Sequence, residues 1–175
     1  KDKDNRWHIR DYGRGLRIEH FTLNENIEKL NSPLKIIGKF GVGLKDALAT
    51  FYRNNVTVWI HSCFGFYRVI SMSKHNFEDI NTLHIEFTER QTDFIGTDFV
   101  FLRVSDIDIE KAKSLFFKFS NEKILENTEY GQIIKRKTET SRIYILGVLA
   151  SEEPNFLFSY NITNLTKSMR ERLNR

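Results

Sequence analysis

The sequence has little cysteine, little proline and no long apolar run. It contains one cysteine, Cys63, and two prolines in 175 residues. A single thiol excludes an internal disulfide framework and is typical of a reducing compartment, so we predict a cytoplasmic protein. No run approaches the roughly 18 apolar residues that a membrane span needs, and we therefore expect no membrane among the partners.

Metal-ligand spacing is also missing. The five histidines show no paired spacing, and no pair of cysteines supports them. Zinc sites in proteins need such clusters, so this class of site is not expected. We predict no metal-ligating residue and no catalytic residue in this chain.

The charge balance is mildly basic. Lys and Arg exceed Asp and Glu by 27 to 23, and the pI is near 9.1. This permits an acidic partner, either a nucleotide or a nucleic acid, without requiring one. Two basic clusters, 135–137 and 167–175, are consistent either with a nucleic-acid contact or with a solvated surface.

Hydrophobic periodicity predicts a helix followed by several strands. Leu44, Leu48 and Phe51 recur on one helical face, directly after a glycine-containing loop. Alternating or apolar segments predict strands at 55–62, 65–73, 82–89, 97–105, 131–137, 142–148 and 156–162. A further helix is expected over 109–120, with Asp106 and Asp108 as capping residues. We predict an α+β fold, a two-layer α/β sandwich whose mixed, mostly antiparallel sheet is covered on one face by helices.

Six of the nine glycines fall in three short blocks at the ends of predicted elements. They are Gly13 and Gly15, then Gly38, Gly41 and Gly43, then Gly96. Glycine costs backbone entropy, so such clustering indicates positive φ angles or a ligand close to the main chain. The second block opens a helix, whose first N–H groups and dipole favour an anion.

The order of these blocks resembles the GHKL ATPase superfamily: a strand ending in Asp11 and DYGRG, then IGKFGVGLK, then IGTDFVFL. The likeness is nearest to chaperone-like and MORC-like members. It implies a Bergerat ATP-binding fold, with ATP and Mg²⁺ as cofactors and residues 16–37 as a lid. We expect an ATP-binding domain over 1–122 and a C-terminal extension over 123–175 that could begin a transducer-like domain.

The resemblance also implies individual ligand contacts. Asp11 and Thr97 would hold adenine, because an ionised carboxylate is an acceptor for the exocyclic amine. Gly13 and Gly15 would let the chain turn beneath the base and ribose. The loop expected to hold the phosphates consists of Gly38, Lys39, Phe40, Gly41, Val42, Gly43 and Leu44.

The chain departs from the GHKL pattern upstream of Asp11. The family places a helix with a catalytic glutamate and a magnesium-binding asparagine there, whereas the ten residues before Asp11 contain no glutamate. Whether the full protein is a Mg²⁺-dependent ATPase, and whether it forms a homodimer, is therefore left open. The alternative function is a nucleic-acid-binding or scaffold module without ATP turnover.

Overall fold

The computed structural model describes residues 1–22, 42–74, 77–90 and 92–166, with the side chains of 77 and 78 left out. The chain divides into two compact units, Lys1–Val104 and Ser105–Arg175. Each unit is built on its own five-stranded sheet. The units are described separately below.

The described part of the first unit contains a sheet, one α-helix and a short 3-10 turn at Ile18–Phe21. The elements of this unit are β1 (Trp7–Asp11), α1 (Val42–Arg53), β2 (Thr57–Ser62), β3 (Gly65–Lys74), β4 (Phe77–Glu89) and β5 (Thr97–Leu102). The sheet has the strand order β1-β5-β2-β3-β4, and every neighbouring pair is antiparallel.

The core of the first unit lies between α1 and one face of the sheet. Strand β2 alternates buried and half-buried side chains, so that Val58, Ile60 and Ser62 point to one face. Leu48 of α1 packs with Val58 and Ile60 in one cluster. The predicted helical stripe of Leu44, Leu48 and Phe51 is confirmed, because all three belong to this cluster.

The second unit is also mainly β-structure. Its strand order is β6-β7-β10-β8-β9, and the pair β8–β10 is parallel. Ser105 caps the helix Asp106–Ser114 by accepting a hydrogen bond from the Asp108 amide. The elements are α2 (Asp106–Ser114), β6 (Ile124–Asn127), β7 (Gly131–Ile134), β8 (Ser141–Ile145), β9 (Val148–Glu153) and β10 (Ser159–Ile162).

The predicted fold class is wrong. Among the described residues α1 is the one α-helix that packs on the first sheet, and the expected helix-covered α/β sandwich of the Bergerat type is not formed. Helix α2 buries none of its residues and belongs to the second unit. The later strands form a separate sheet, because the chain after residue 120 pairs with itself rather than with β1–β5.

Candidate functional site

Three polar side chains lie in a row at one end of the first sheet. Asp11 on β1 pairs with Thr97 on β5, and Thr97 pairs with Ser62 on β2. Directly opposed residues of antiparallel strands point to the same face, and here that is the face covered by α1. Thr97 and Ser62 are almost fully buried, whereas Asp11 is exposed. Asp11 and Thr97 were candidates from the sequence; Ser62 was missed.

Asp11 is held by a local turn. The Gly13 amide donates a hydrogen bond of 2.8 Å to Asp11 Oδ1. A carboxylate has about four lone-pair sites, so this bond fixes the side chain and leaves acceptor capacity for a ligand. A donor such as an amino group would therefore meet an oriented carboxylate.

The glycines of the first and third blocks meet around Asp11. Gly96 has φ +97°, and a Cβ there would lie 2.0 Å from the Asp11 carbonyl oxygen. Gly15 has φ +83°, and a Cβ there would lie 2.4 Å from Cys63 Sγ and 2.8 Å from Ser62 Oγ. Both positions need glycine because the main chain passes against neighbouring atoms with positive φ.

Chain direction indicates that the start of α1 lies toward the same end of the sheet. Helix α1 leads through the turn 54–56 into β2 and packs along it, so the two elements run in opposite directions. Twelve helical residues span about 18 Å and six strand residues about 20 Å. Val42 and Gly43 are therefore expected near the level of Ser62. Leu44 packs into the core, and a Cβ at Gly43 would meet no atom within 4 Å.

Four of the predicted phosphate-loop residues, Gly38, Lys39, Phe40 and Gly41, lie outside the described residues. Most of the predicted lid, which spans residues 16–37, also lies outside the described residues. Its described part is tied to the sheet: the Tyr67 hydroxyl donates a 2.9 Å hydrogen bond to the Leu16 carbonyl, and Phe21 packs on the Tyr67 ring. A cavity of about 520 Å³ lies beside this segment, between Phe21, Lys45 of α1 and Ile85 of β4.

The opposite face of the sheet carries a charged cluster. Arg10 donates a 2.7 Å hydrogen bond to Asp98 Oδ2, and His8 Nδ1 lies 3.0 Å from the same oxygen. His8 Nε2 lies 3.1 Å from Asp2 Oδ2. Burial alone would raise the pKa of the Asp98 carboxyl, but the hydrogen bonds from Arg10 and His8 outweigh it and hold that pKa below its ordinary value.

One side chain of the basic run 135–137 is engaged in hydrogen bonds within the second unit. Arg136 donates hydrogen bonds to the carbonyls of Thr138, Pro154 and Phe156, at 2.9, 3.3 and 3.0 Å. Its guanidinium thus supports the loop between β9 and β10. The second basic cluster, 167–175, lies outside the described residues.

The described part of the chain contains no group of three or more His, Cys, Asp and Glu side chains that could hold a metal ion. None of the described helices is long and apolar enough to cross a bilayer.

Comparisons with known proteins give one family. The family described as the Mycoplasma pneumoniae MPN635 N-terminal domain matches residues 107–175. An uncharacterised protein of Mycoplasma pneumoniae strain M129 is 38% identical over 170 residues, which cover 95% of this chain and 68% of that protein. No solved structure matches.

The expected membership of the GHKL superfamily is wrong. The matching family is the MPN635 N-terminal domain, and no GHKL family matches. Short glycine blocks occur at the ends of strands wherever a chain turns tightly. Because such blocks are common, their order suggested a family that the whole sequence does not support.

Proposed function

This chain belongs to the family of the Mycoplasma pneumoniae MPN635 N-terminal domain, and we propose that its first unit binds an adenine nucleotide, with ATP as the ligand. The proposal rests on one observation. An exposed, turn-held carboxylate, Asp11, lies in a row with buried Thr97 on the sheet face that α1 covers.

The chemistry of Asp11 suits an adenine ring. Adenine carries an exocyclic amino donor. An ionised carboxylate can only accept, so Asp11 would accept a hydrogen bond from that amino group. Thr97 pairs with Asp11 across β1 and β5 and lies buried beneath the site.

The start of α1 would take the phosphates. Val42 is exposed and Gly43 leaves open space, so the first turn of a twelve-residue helix is accessible to an anion. Unpaired amides and the helix dipole favour negative charge at this position. Lys45 lies in the same turn and adds a positive charge.

The described residues support the binding of magnesium less well than the binding of the nucleotide. The described residues offer no cluster of ligands for it, so Mg²⁺ would enter with the triphosphate rather than in a site of its own. The proposal therefore covers nucleotide binding and includes no hydrolytic step.

Calorimetric titration with ATP tests this proposal. Wild-type protein should bind ATP, and Asp11→Asn should lose about 10- to 100-fold in affinity, since a hydrogen bond to a charged group is worth about 1.5–3 kcal/mol. Asp79→Asn, an equal change at an exposed position on β4, should bind as the wild type does. Equal binding of ATP by wild type and Asp11→Asn, or no binding by either, would show that the site is misassigned.

A further inference from the structure

Strand β4 forms one outer edge of the first sheet. It pairs with β3 along its whole length, from Gly65↔Glu89 to Lys74↔Phe77, and in the described part of the chain no strand pairs with its other side. Sheets protect such edges by keeping them short or by placing lysine or proline in them. Strand β4 is 13 residues long, and its sequence FEDINTLHIEFTE contains neither lysine nor proline.

The other sheet edges that the structure describes are short or covered. Strand β1 has five residues and β6 has four. The outer side of β9 is bridged to the segment after α2, since Val148 pairs with Phe116 and the Leu149 amide donates to the Leu115 carbonyl. Strand β4 therefore presents a long row of N–H and C=O groups that a further strand can pair with.

The two faces of β4 carry different side chains. Ile85 packs against the core on the α1 face, and Leu83 and Phe87 on the same face are 39% and 38% exposed. His84 and Glu86 alternate with them and point to the opposite face. The apolar face of the sheet thus continues to its open edge.

The sequence of β4 is complementary to itself in one antiparallel register, in which Ile85 faces Ile85 of a second copy. The cross-strand pairs are then Ile85↔Ile85, Leu83↔Phe87, His84↔Glu86 and Thr82↔Thr88. Apolar pairs, hydroxyl pairs and pairs of imidazole with carboxylate all stabilise adjacent antiparallel strands. A two-fold axis at Ile85 produces each unlike pair twice.

The neighbouring registers on the same face are less favourable. Centring the axis on His84 sets Glu89 opposite Asp79, and centring it on Glu86 sets that carboxylate opposite itself. Like charges directly opposite each other are destabilising. The register centred on Ile85 contains no such pair.

The carboxylate of Glu86 has capacity for a second partner. Arg68 Nε donates to Glu86 Oε2 within the chain, and a carboxylate has about four lone-pair sites. His84 Nε2 lies 2.8 Å from Thr82 Oγ1, which leaves Nδ1 of His84 for a second copy. The imidazole of one copy can therefore reach a carboxylate that its own arginine already orients.

We propose that two copies of this chain associate through antiparallel pairing of their β4 edges about Ile85, so that the two first sheets become one continuous sheet. A second copy is favoured over an unrelated strand because the same edge supplies both members of every pair. Pairing uses both β4 edges, so association through this surface ends at a dimer.

Sedimentation equilibrium of the full chain tests the proposal. The wild type should show a reversible monomer–dimer equilibrium. His84→Glu sets glutamate opposite Glu86 at two places and should raise the dimer Kd about tenfold, since each cross-strand pair is worth about 0.2–1 kcal/mol and like charges repel. Met72→Glu is the control, because it adds the same charge to the same face one strand further in, at an exposed position, and should leave the Kd unchanged.

Two results would overturn the proposal: a wild type that is monomeric at every concentration, or equal weakening by His84→Glu and Met72→Glu. Circular dichroism checks that both variants keep the fold. The double variant His84→Glu with Glu86→His exchanges the two members of the pair and should return the Kd to within about threefold of the wild type. A double variant as weak as His84→Glu would refute the register.

Disulfide cross-linking tests the register independently, in a Cys63→Ser background. Thr82 lies opposite Thr88 across the proposed interface, at the distance of about 4.5–5.5 Å between Cα atoms that a disulfide can span. An oxidised mixture of Thr82→Cys and Thr88→Cys chains should form a mixed disulfide, whereas either variant alone should stay uncross-linked. Equal cross-linking of the single variants and the mixture would contradict the pairing about Ile85.

Discussion

Replacing Gly96 with alanine should break the end of the first sheet at which Asp11 and Thr97 pair. Gly96 precedes β5 and has φ +97°. A Cβ at this position would lie 2.0 Å from the Asp11 carbonyl oxygen and 2.7 Å from its carbonyl carbon. Both are main-chain atoms, so no side-chain rotation relieves the clash. The backbone of β1 must move away from β5, or the turn before Thr97 must be rebuilt.

The expected cost follows from two contributions. An alanine at positive φ costs about 1–2 kcal/mol. Overpacking against fixed atoms adds about 1–3 kcal/mol. The free energy of unfolding of the first unit should therefore fall by about 3 kcal/mol, which moves a urea midpoint down by about 1–3 M for a small domain.

Tryptophan fluorescence in urea measures this change for the first unit specifically. The two tryptophans, Trp7 and Trp59, lie on the strands either side of β5, where they pair with Phe101 and Val100. Gly43→Ala is the control, because a Cβ there meets nothing within 4 Å and α1 should gain about 0.5–1 kcal/mol. An unchanged midpoint for Gly96→Ala would refute the reasoning.

Three further predictions concern single side chains. A carboxyl with a lowered folded-state pKa contributes stability above its unfolded pKa of about 4, and loses it as the pH falls through the folded value. Asp98→Asn should therefore be less stable near neutral pH and show a smaller loss of stability as the pH falls below about 4 in acid titrations of unfolding. Arg136→Ala should expose the loop 154–158 to chymotrypsin, with Lys137→Ala unaffected; equal cleavage of the two would argue against the guanidinium contacts. Tyr67→Phe should lower the free energy of unfolding by about 1 kcal/mol, because the Leu16 carbonyl loses its donor; no change in urea would contradict this.

Local periodicity was sufficient to predict the strands of the first sheet and the helix before them. The segment TVWIHS alternates half-buried and buried side chains along β2, as its sequence pattern indicates. Helix α1 begins in the glycine-containing segment and buries Leu48. These elements follow from side-chain spacing alone, since a strand repeats every two residues and a helix every 3.6.

The predicted helix over 109–120 was only partly correct. Helix α2 ends at Ser114, although Leu115 and Phe116 continue an apolar pattern. The Phe117 amide donates instead to the Gly147 carbonyl, and the Leu115 carbonyl accepts from the Leu149 amide. Contacts with Gly147 and with β9, thirty or more residues away, thus compete for the backbone groups of the helix, and residue spacing does not reveal such partners.

The row of Asp11, Thr97 and Ser62 could be predicted only in part. Asp11 and Thr97 were chosen as candidates through a family resemblance that the comparisons contradict, while their pairing follows from strand register. Nothing in the sequence marked Ser62 as a site residue except its place at the end of an alternating strand. Its position depends on the order β1-β5-β2, which no local pattern determines.

The salt links of Asp98 have a consequence for the other side of the same sheet. Strand β1 is a short edge strand, and sliding it by one residue would exchange its two faces, sending the Asp11 carboxylate away from α1. That slip would also pull Arg10 and His8 off Asp98. The ion pairs of Asp98 thus hold β1 in register. The side chains that β1 presents toward α1 therefore depend on charges on the opposite face of the sheet.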